Sequence, residues 1–139
     1  MKIRVGYCDT DQMGFVHHSN YVKYYEAARW DLLRKLGIPY AEIEKSGVLM
    51  PVIDMQFNFL RPARYDDLLT IKTRIKKITA ARIEFAYEMY NALNQIINEA
   101  SITLAFIKKA TLRVCHPPNE LKEKILAGSS QTHVTHYRS

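Results

Sequence analysis

From residue 53 onward, apolar and polar positions alternate with a period of two. Ile53, Met55, Phe57 and Phe59 alternate with Asp54, Gln56 and Asn58, and Leu69, Ile71, Thr73 and Ile75 with Thr70, Lys72, Arg74 and Lys76. The same rhythm runs through Ile83 to Tyr90 and Ala100 to Ile107, and a last short strand covers about Ala110 to Val114. Successive strand side chains point to opposite faces, so this pattern predicts strands with one buried face. The connections, Pro62 to Asp67, Thr79 to Ala81 and Asn91 to Asn94, are too short for helical crossovers. Neighbouring strands in this run are therefore expected to be antiparallel.

Ahead of them the period differs. Residues 2 to 7 alternate Ile3, Val5 and Tyr7 against Lys2, Arg4 and Gly6, a short strand. From Tyr21 to about Leu36 the spacing becomes helical. Tyr21, Tyr24, Tyr25, Ala28, Leu32 and Leu36 form one broad apolar arc, widened by Val22 and Leu33, with Lys23 and Arg34 opposite. Ser19 or Asn20 can cap this helix and Gly37 can end it. Arg29 falls inside the arc and Glu26 lies at its edge, three residues earlier. That spacing predicts a partly buried salt bridge; the alternative is that one of the two faces an active site. A short helical turn over Tyr40 to Lys45 and a small helix from Glu120 to Leu126 complete the elements. One long apolar helix followed by antiparallel strands is an α+β arrangement in which the sheet wraps the helix. Ser101, Thr103, Ala105 and Ile107 make the supposed outer face only partly polar, which suggests contacts between copies of the chain.

Composition narrows this little but usefully. The chain has 139 residues, which suits one domain with a real core, and no apolar run approaches the roughly 20 residues of a membrane span. No secretory leader is read at the N-terminus, and two cysteines, Cys8 and Cys115, are no disulfide framework, so a cytoplasmic setting is expected. A net charge of +6 favours an anionic partner, among which nucleic acid, a membrane surface and a phosphate-bearing cofactor such as coenzyme A all qualify. The basic residues are spread along strands and no nucleic-acid-binding signature is present, so nucleic acid is not expected.

Three chemistries can be weighed. His17 and His18 are adjacent and would point apart on an extended segment, no HExxH occurs, and His133 and His136 sit in the tail, so no metal is expected. Cys8 precedes Asp9, whose charge opposes thiolate formation, and both cysteines are read as structural. The carboxylates remain. Asp9 can satisfy N–H groups of its own turn. Asp11, followed by Gly14, His18 and a helix start, could act as a base on water or attack a carbonyl, with the oxyanion held by helix N-terminal N–H groups. From the residues alone this is a candidate hydrolase site and no more.

Residues 4 to 37, which open R-V-G-Y-C-D-T-D-Q-M-G-F-V-H-H-S-N-Y-V-K-Y-Y-E-A-A-R, closely resemble the start of hotdog-fold acyl-CoA thioesterases of the 4-hydroxybenzoyl-CoA thioesterase type, nearest the Tol-Pal-associated branch. The likeness continues through F-L-R-P-A-R-Y-D-D-L-L-T-I, Phe59 to Ile71, and the order of elements agrees to about residue 126. The resemblance implies a hotdog domain over residues 1–127, a five- to six-stranded antiparallel sheet around one helix, and a flexible tail over 128–139. It implies that Asp11 is the catalytic aspartate and that His18 assists, its backbone N–H polarising the thioester carbonyl. Gly14, in the tight turn, and Tyr21 are the residues expected to bind substrate. Asp9 is then turn structure, and Glu26 and Arg29 a structural pair. No cofactor is implied, since coenzyme A is part of the substrate. A homo-oligomer is, as a dimer or a dimer of dimers with sites at subunit interfaces. Arg61, Arg64, Lys76, Lys77 and Arg82 are candidates for the CoA phosphates. Competing readings are a non-catalytic acyl-CoA-binding module and a thioesterase acting on acyl carrier protein; a hotdog hydratase is disfavoured, because its Asp/Asn-to-His helix motif is not present.

Overall fold

A computed structural model of the chain describes residues 1–129. Its main sheet has five antiparallel strands in the order β1 (Lys2–Arg4), β4 (Leu68–Ile78), β5 (Arg82–Tyr90), β6 (Ile96–Ala105), β3 (Val52–Phe59). The long helix α1 (His18–Lys35) lies on one face. Tyr21, Tyr24, Tyr25, Ala28, Leu32 and Leu33 are buried there, as the helical spacing predicts, against Leu69, Ile71, Phe85, Tyr87 and Ile102 of the sheet. This is the hotdog arrangement, an α+β fold.

α1 starts three residues earlier than the apolar arc suggests. His17 is its N-cap, accepting the Ser19 N–H at Nδ1 (3.2 Å), so neither Ser19 nor Asn20 fills that role. Gly37, at φ +80°, ends it as expected. Helix α2 (Tyr40–Lys45) falls where the sequence puts it, and α3 runs over Asn119–Ser129, further than the predicted stop at Leu126. The expected flexible tail, with His133 and His136, lies from residue 130 outside the described residues. Of the predicted strand over Ala110 to Val114 only β8 (Arg113–Val114) forms, because residues 109–112 are a turn; β8 pairs with β7 (Ile107–Lys108), which pairs with β2 (Val48–Leu49) in a small second sheet. Ala105, expected outside, is buried. Tyr7, expected to share the buried face of β1, leaves the strand in a single 3₁₀ turn (Tyr7–Asp9) and is 77% exposed.

The larger departure concerns strand neighbours. β3 does not pair with β4, the next strand in sequence. It pairs with β6, Phe57 opposite Ala100 and Met55 opposite Ile102, and forms the far edge. Residues 60–67 must therefore cross the end of the sheet past β5 and β6, about 14 Å of strand spacing. The crossing segment is tied down on the way. Val16 N–H donates to the Ala63 carbonyl (2.8 Å), Phe15 bridges to Arg64, and Val5 exchanges hydrogen bonds with Asp66 and Asp67. The path that takes the chain from one edge to the other thus lies against the loop before α1.

Candidate active site

The loop between β1 and α1 is closed by its own backbone. Thr10 bridges to Val16, Asp11 N–H donates to the Phe15 carbonyl (2.7 Å), and Gly14 N–H donates to the Asp11 carbonyl (3.0 Å). Gly14 makes this turn at φ +81°, a conformation that costs other residues about 1 kcal/mol or more. The Asp11 carboxylate takes part: Oδ1 accepts from Met13 N–H (2.8 Å) and Phe15 N–H (3.2 Å). Oδ2 receives no hydrogen bond among the described residues, and the side chain is exposed. One oxygen fixes the group and the other is left for a ligand.

Asp9 is turn structure as expected, closing the 3₁₀ turn Tyr7–Asp9, and its carboxylate also reaches the helix. Lys23 Nζ donates to its Oδ1 (2.6 Å) and the Tyr24 hydroxyl to its Oδ2 (2.7 Å). Its carbonyl accepts from His17 N–H and Asn20 Nδ2. The carboxyl is held below the usual carboxylate range, first by Lys23 and then by Tyr24. Burial, and then Asp9, pushes the Tyr24 phenol up. Asp9 binds the loop to the first turns of α1 and so aims Asp11.

Asp11, His18, Tyr21, Phe59, Leu60 and Arg61 line one cleft of about 330 Å³. The His18 ring lies against Phe59, centroids 4.6 Å apart, and Phe59 meets the Tyr21 ring edge-on at 5.2 Å. Tyr21 supplies a wall, and its oxygen accepts the buried Ala63 N–H (3.2 Å), which fixes the phenol and leaves its O–H to donate. The His18 N–H, first of the helix, is given to no acceptor among the described residues. Helix N-terminal N–H groups and an unengaged carboxylate oxygen on one cleft are what water attack on a carbonyl requires.

Gly14 shapes the loop without lining the cleft. Of the phosphate candidates, Arg61 lines the cleft and also donates to the Ile96 carbonyl (3.1 Å), while Arg64 lies over the Phe15 ring (5.2 Å). Lys76, paired with Glu84, and Lys77 lie on β4, and Arg82 starts β5. Phe59, Leu60 and Pro62 were missed as site residues. Their signal was the second stretch of the family likeness, Phe59 to Ile71. Cys8 is exposed rather than packed, and Cys115 is half-buried against the core.

The expected Glu26–Arg29 pair does not form. Glu26 is exposed, whereas Arg29 is 4% exposed and gives its one hydrogen bond, from Nη1, to the Tyr87 hydroxyl (3.4 Å).

The profile described as the thioesterase-like superfamily matches residues 5–125. The acyl-CoA thioester hydrolase YbgC of Escherichia coli O6:H1 is 34% identical over 127 residues, spanning 91% of this chain and 88% of YbgC. YneP of Bacillus subtilis is 31% identical over 112 residues, 81% of each chain. Among solved structures, a DHNA-CoA thioesterase from Staphylococcus aureus has a TM-score of 0.86 at 30% identity, with 94% of this chain and 92% of that one covered.

Proposed function

The chain belongs to the thioesterase-like superfamily and is a thioester hydrolase, and from there we propose that it cleaves an acyl-CoA to the free acid and CoA at the cleft flanked by Asp11 and His18. The observation that carries the site is the division of labour on Asp11, with Oδ1 anchored by two N–H groups and Oδ2 unengaged. In the water route, Oδ2 takes a proton from water as its oxygen attacks the thioester carbonyl carbon. The C–O⁻ of the tetrahedral intermediate is held by the N–H groups that open α1, His18 among them. Collapse breaks the C–S bond, and the thiolate leaves and takes up a proton. In the covalent route, the same oxygen attacks the carbon itself, the thiolate leaves, and water then opens the mixed anhydride. Label found in Asp11 after a single turnover in ¹⁸O-water identifies the covalent route with water attack at the Asp11 carbonyl, whereas label in the product acid alone fits the water route or attack at the acyl carbon.

Asp11→Asn keeps an oxygen for the Met13 and Phe15 N–H groups and removes the base. Thiol release is expected to fall by about 10²–10⁴-fold. The assay covers short, long and aromatic acyl groups on CoA and on acyl carrier protein. Unchanged turnover in the variant removes Asp11 from the chemistry, and a wild-type chain that binds CoA esters but releases no thiol from any of them overturns the CoA assignment.

Two finer assignments belong to the same reading. The likeness of residues 4 to 37 supports the Tol-Pal-associated branch, and two cysteines that form no disulfide framework support a cytoplasmic setting. The free edge of β3, with Ile53 46% and Met55 41% exposed, supports a homo-oligomer built through that edge.

A further inference from the structure

An α-helix leaves its first four N–H groups without partners of its own, and in α1 these belong to His17, His18, Ser19 and Asn20. Three of them are engaged, and each bond involves His17. Its own N–H donates to the Asp9 carbonyl (3.0 Å), and its carbonyl accepts from Asn20 N–H (2.9 Å). Its ring takes the third: Nδ1 accepts from Ser19 N–H (3.2 Å) and lies 2.9 Å from Ser19 Oγ. Only the His18 N–H is left over among the described residues, on the cleft that Asp11 also lines. His17 therefore ties the loop that carries Asp11 to the first turn of the helix, and decides which N–H of that turn stays open.

The ring bond also fixes a protonation state. A backbone N–H only donates, so the Ser19 contact makes Nδ1 the unprotonated nitrogen and puts the ring hydrogen on Nε2. A second proton goes to Nδ1. It sets Nδ1–H against Ser19 N–H, donor to donor, and places a positive charge at the positive end of the helix dipole. No carboxylate lies within 4.0 Å of the ring among the described residues to offset that charge. The charged and titratable groups around His17 come from three directions. His18 follows it, ring centroids 6.0 Å apart, and lies against Phe59. Asp9 offers its carbonyl, while Lys23 and Tyr24 hold its carboxylate. Asp11 and Arg61 share the cleft, Arg61 with one N–H given to the Ile96 carbonyl.

We propose that His17 is a positioning residue for thioester cleavage: its unprotonated Nδ1 holds Ser19 N–H and so presents the His18 N–H to the oxyanion, and protonation of the ring releases the turn and lowers kcat. The inference rests on the reading that Asp11 and His18 flank the catalytic cleft. Its structural half, a helix cap that a proton breaks, stands without that reading. The adjacent histidines divide the work, His17 acting through the turn and His18 supplying the donor.

Full-length protein labelled with ¹⁵N is titrated by NMR from about pH 8 to 5, the span in which imidazoles change charge. At the upper end the His17 ring is expected to carry hydrogen on Nε2 alone. The Ser19 amide is expected to shift on the same curve as the His17 ring, its protection from exchange falling about fivefold, the worth of one N-cap. In His17→Asn, whose side-chain oxygen caps without titrating, that shift should vanish. A ring hydrogen on Nδ1 at the upper end, or a Ser19 amide that ignores the His17 ring, overturns the cap. Kinetics use the acyl-CoA ester that wild type cleaves fastest. Its kcat is expected to fall along the same curve. His17→Ala should lower kcat about tenfold at the upper end with KM within about twofold, and His17→Asn should rescue most of that loss and flatten the acid limb. A limb owed to His18 survives in His17→Asn, and a cap that serves stability alone leaves kcat unchanged in His17→Ala; either result overturns the proposal. Should His17→Ala fail to fold, the profiles of wild type and His17→Asn decide. Asp11→Asn keeps the two readings apart. Full turnover in that variant overturns the site at Asp11, whereas an inactive Asp11→Asn beside an unchanged limb in His17→Asn overturns only the role of His17.

Discussion

Lys23 Nζ stands 2.6 Å from Asp9 Oδ1, across fourteen residues of chain, and this contact fixes the loop that carries Asp11 to the side of α1. The Asp9 side chain is 15% exposed and also accepts from Tyr24, so the carboxylate is well engaged although Lys23 itself is largely in solvent.

Replacing Asp9 with Asn is expected to lower stability by about 2 kcal/mol at neutral pH, the scale of hydrogen bonds to a charged group. The pH dependence has a definite sign. The folded-state value lies below the ordinary 3.8, so the contribution is complete above about pH 4. It is lost as pH falls from there through the lowered value. Urea midpoints from pH 3 to 7 measure it: wild type and Asp9→Asn should differ at pH 7 and converge toward the acid end. A constant gap would remove the ionised carboxylate as the cause.

Gly14→Ala isolates backbone strain. A Cβ built at Gly14 meets nothing within 4 Å, so no steric clash confuses the result. The positive φ should cost about 1 kcal/mol. Thermal melting should show a small loss of stability, and kcat a larger proportional loss than KM if the turn serves to hold Asp11.

Tyr21→Phe removes one oxygen and leaves the fully buried Ala63 N–H without an acceptor. The expected cost is about 2 kcal/mol in urea unfolding. Because Ala63 belongs to the segment that crosses the sheet end, hydrogen exchange at Ala63 and Val16 should accelerate more than exchange in β5. Uniform acceleration would mean that the bond has no local part in holding the crossing.

Ile53→Lys with Met55→Lys places two charges on the open edge of β3. If that edge joins copies of the chain, sedimentation should show dissociation weakened states at concentrations where wild type is assembled, a change of tenfold or more in the dissociation constant, about 1.4 kcal/mol. An unchanged assembly would locate the interface elsewhere.

Much of this fold can be read from residue spacing, and the unreadable parts share a physical reason. The apolar arc of α1 is set by local periodicity, and six of its eight members are buried as expected, Val22 and Leu36 being half-buried. Alternation assigns strand residues to faces but does not choose neighbours. Residues 60–67 are long enough for a hairpin loop and also for a crossing, and only tertiary contacts such as Val16 to Ala63 decide. The two loop acids differ for a similar reason. Nothing near Asp9 in sequence announces Lys23 and Tyr24, whose positions depend on the phase of a helix that begins at His18. For Glu26 and Arg29 the spacing permits a pair, but Arg29 turns into the core toward Tyr87 while Glu26 stays in solvent.

The strand order also sets when the Asp11 cleft can form. Phe59 and Leu60, one wall of the Asp11 cleft, hang from β3, whose only strand partner among the described residues is β6 at residues Ile96–Ala105. A nascent chain released before β6 carries Asp11, Gly14 and His18 complete in sequence and still has no cleft. Non-local pairings of this kind form late and slowly. On the reading that activity resides at this cleft, refolding should restore helix content before it restores thiol release.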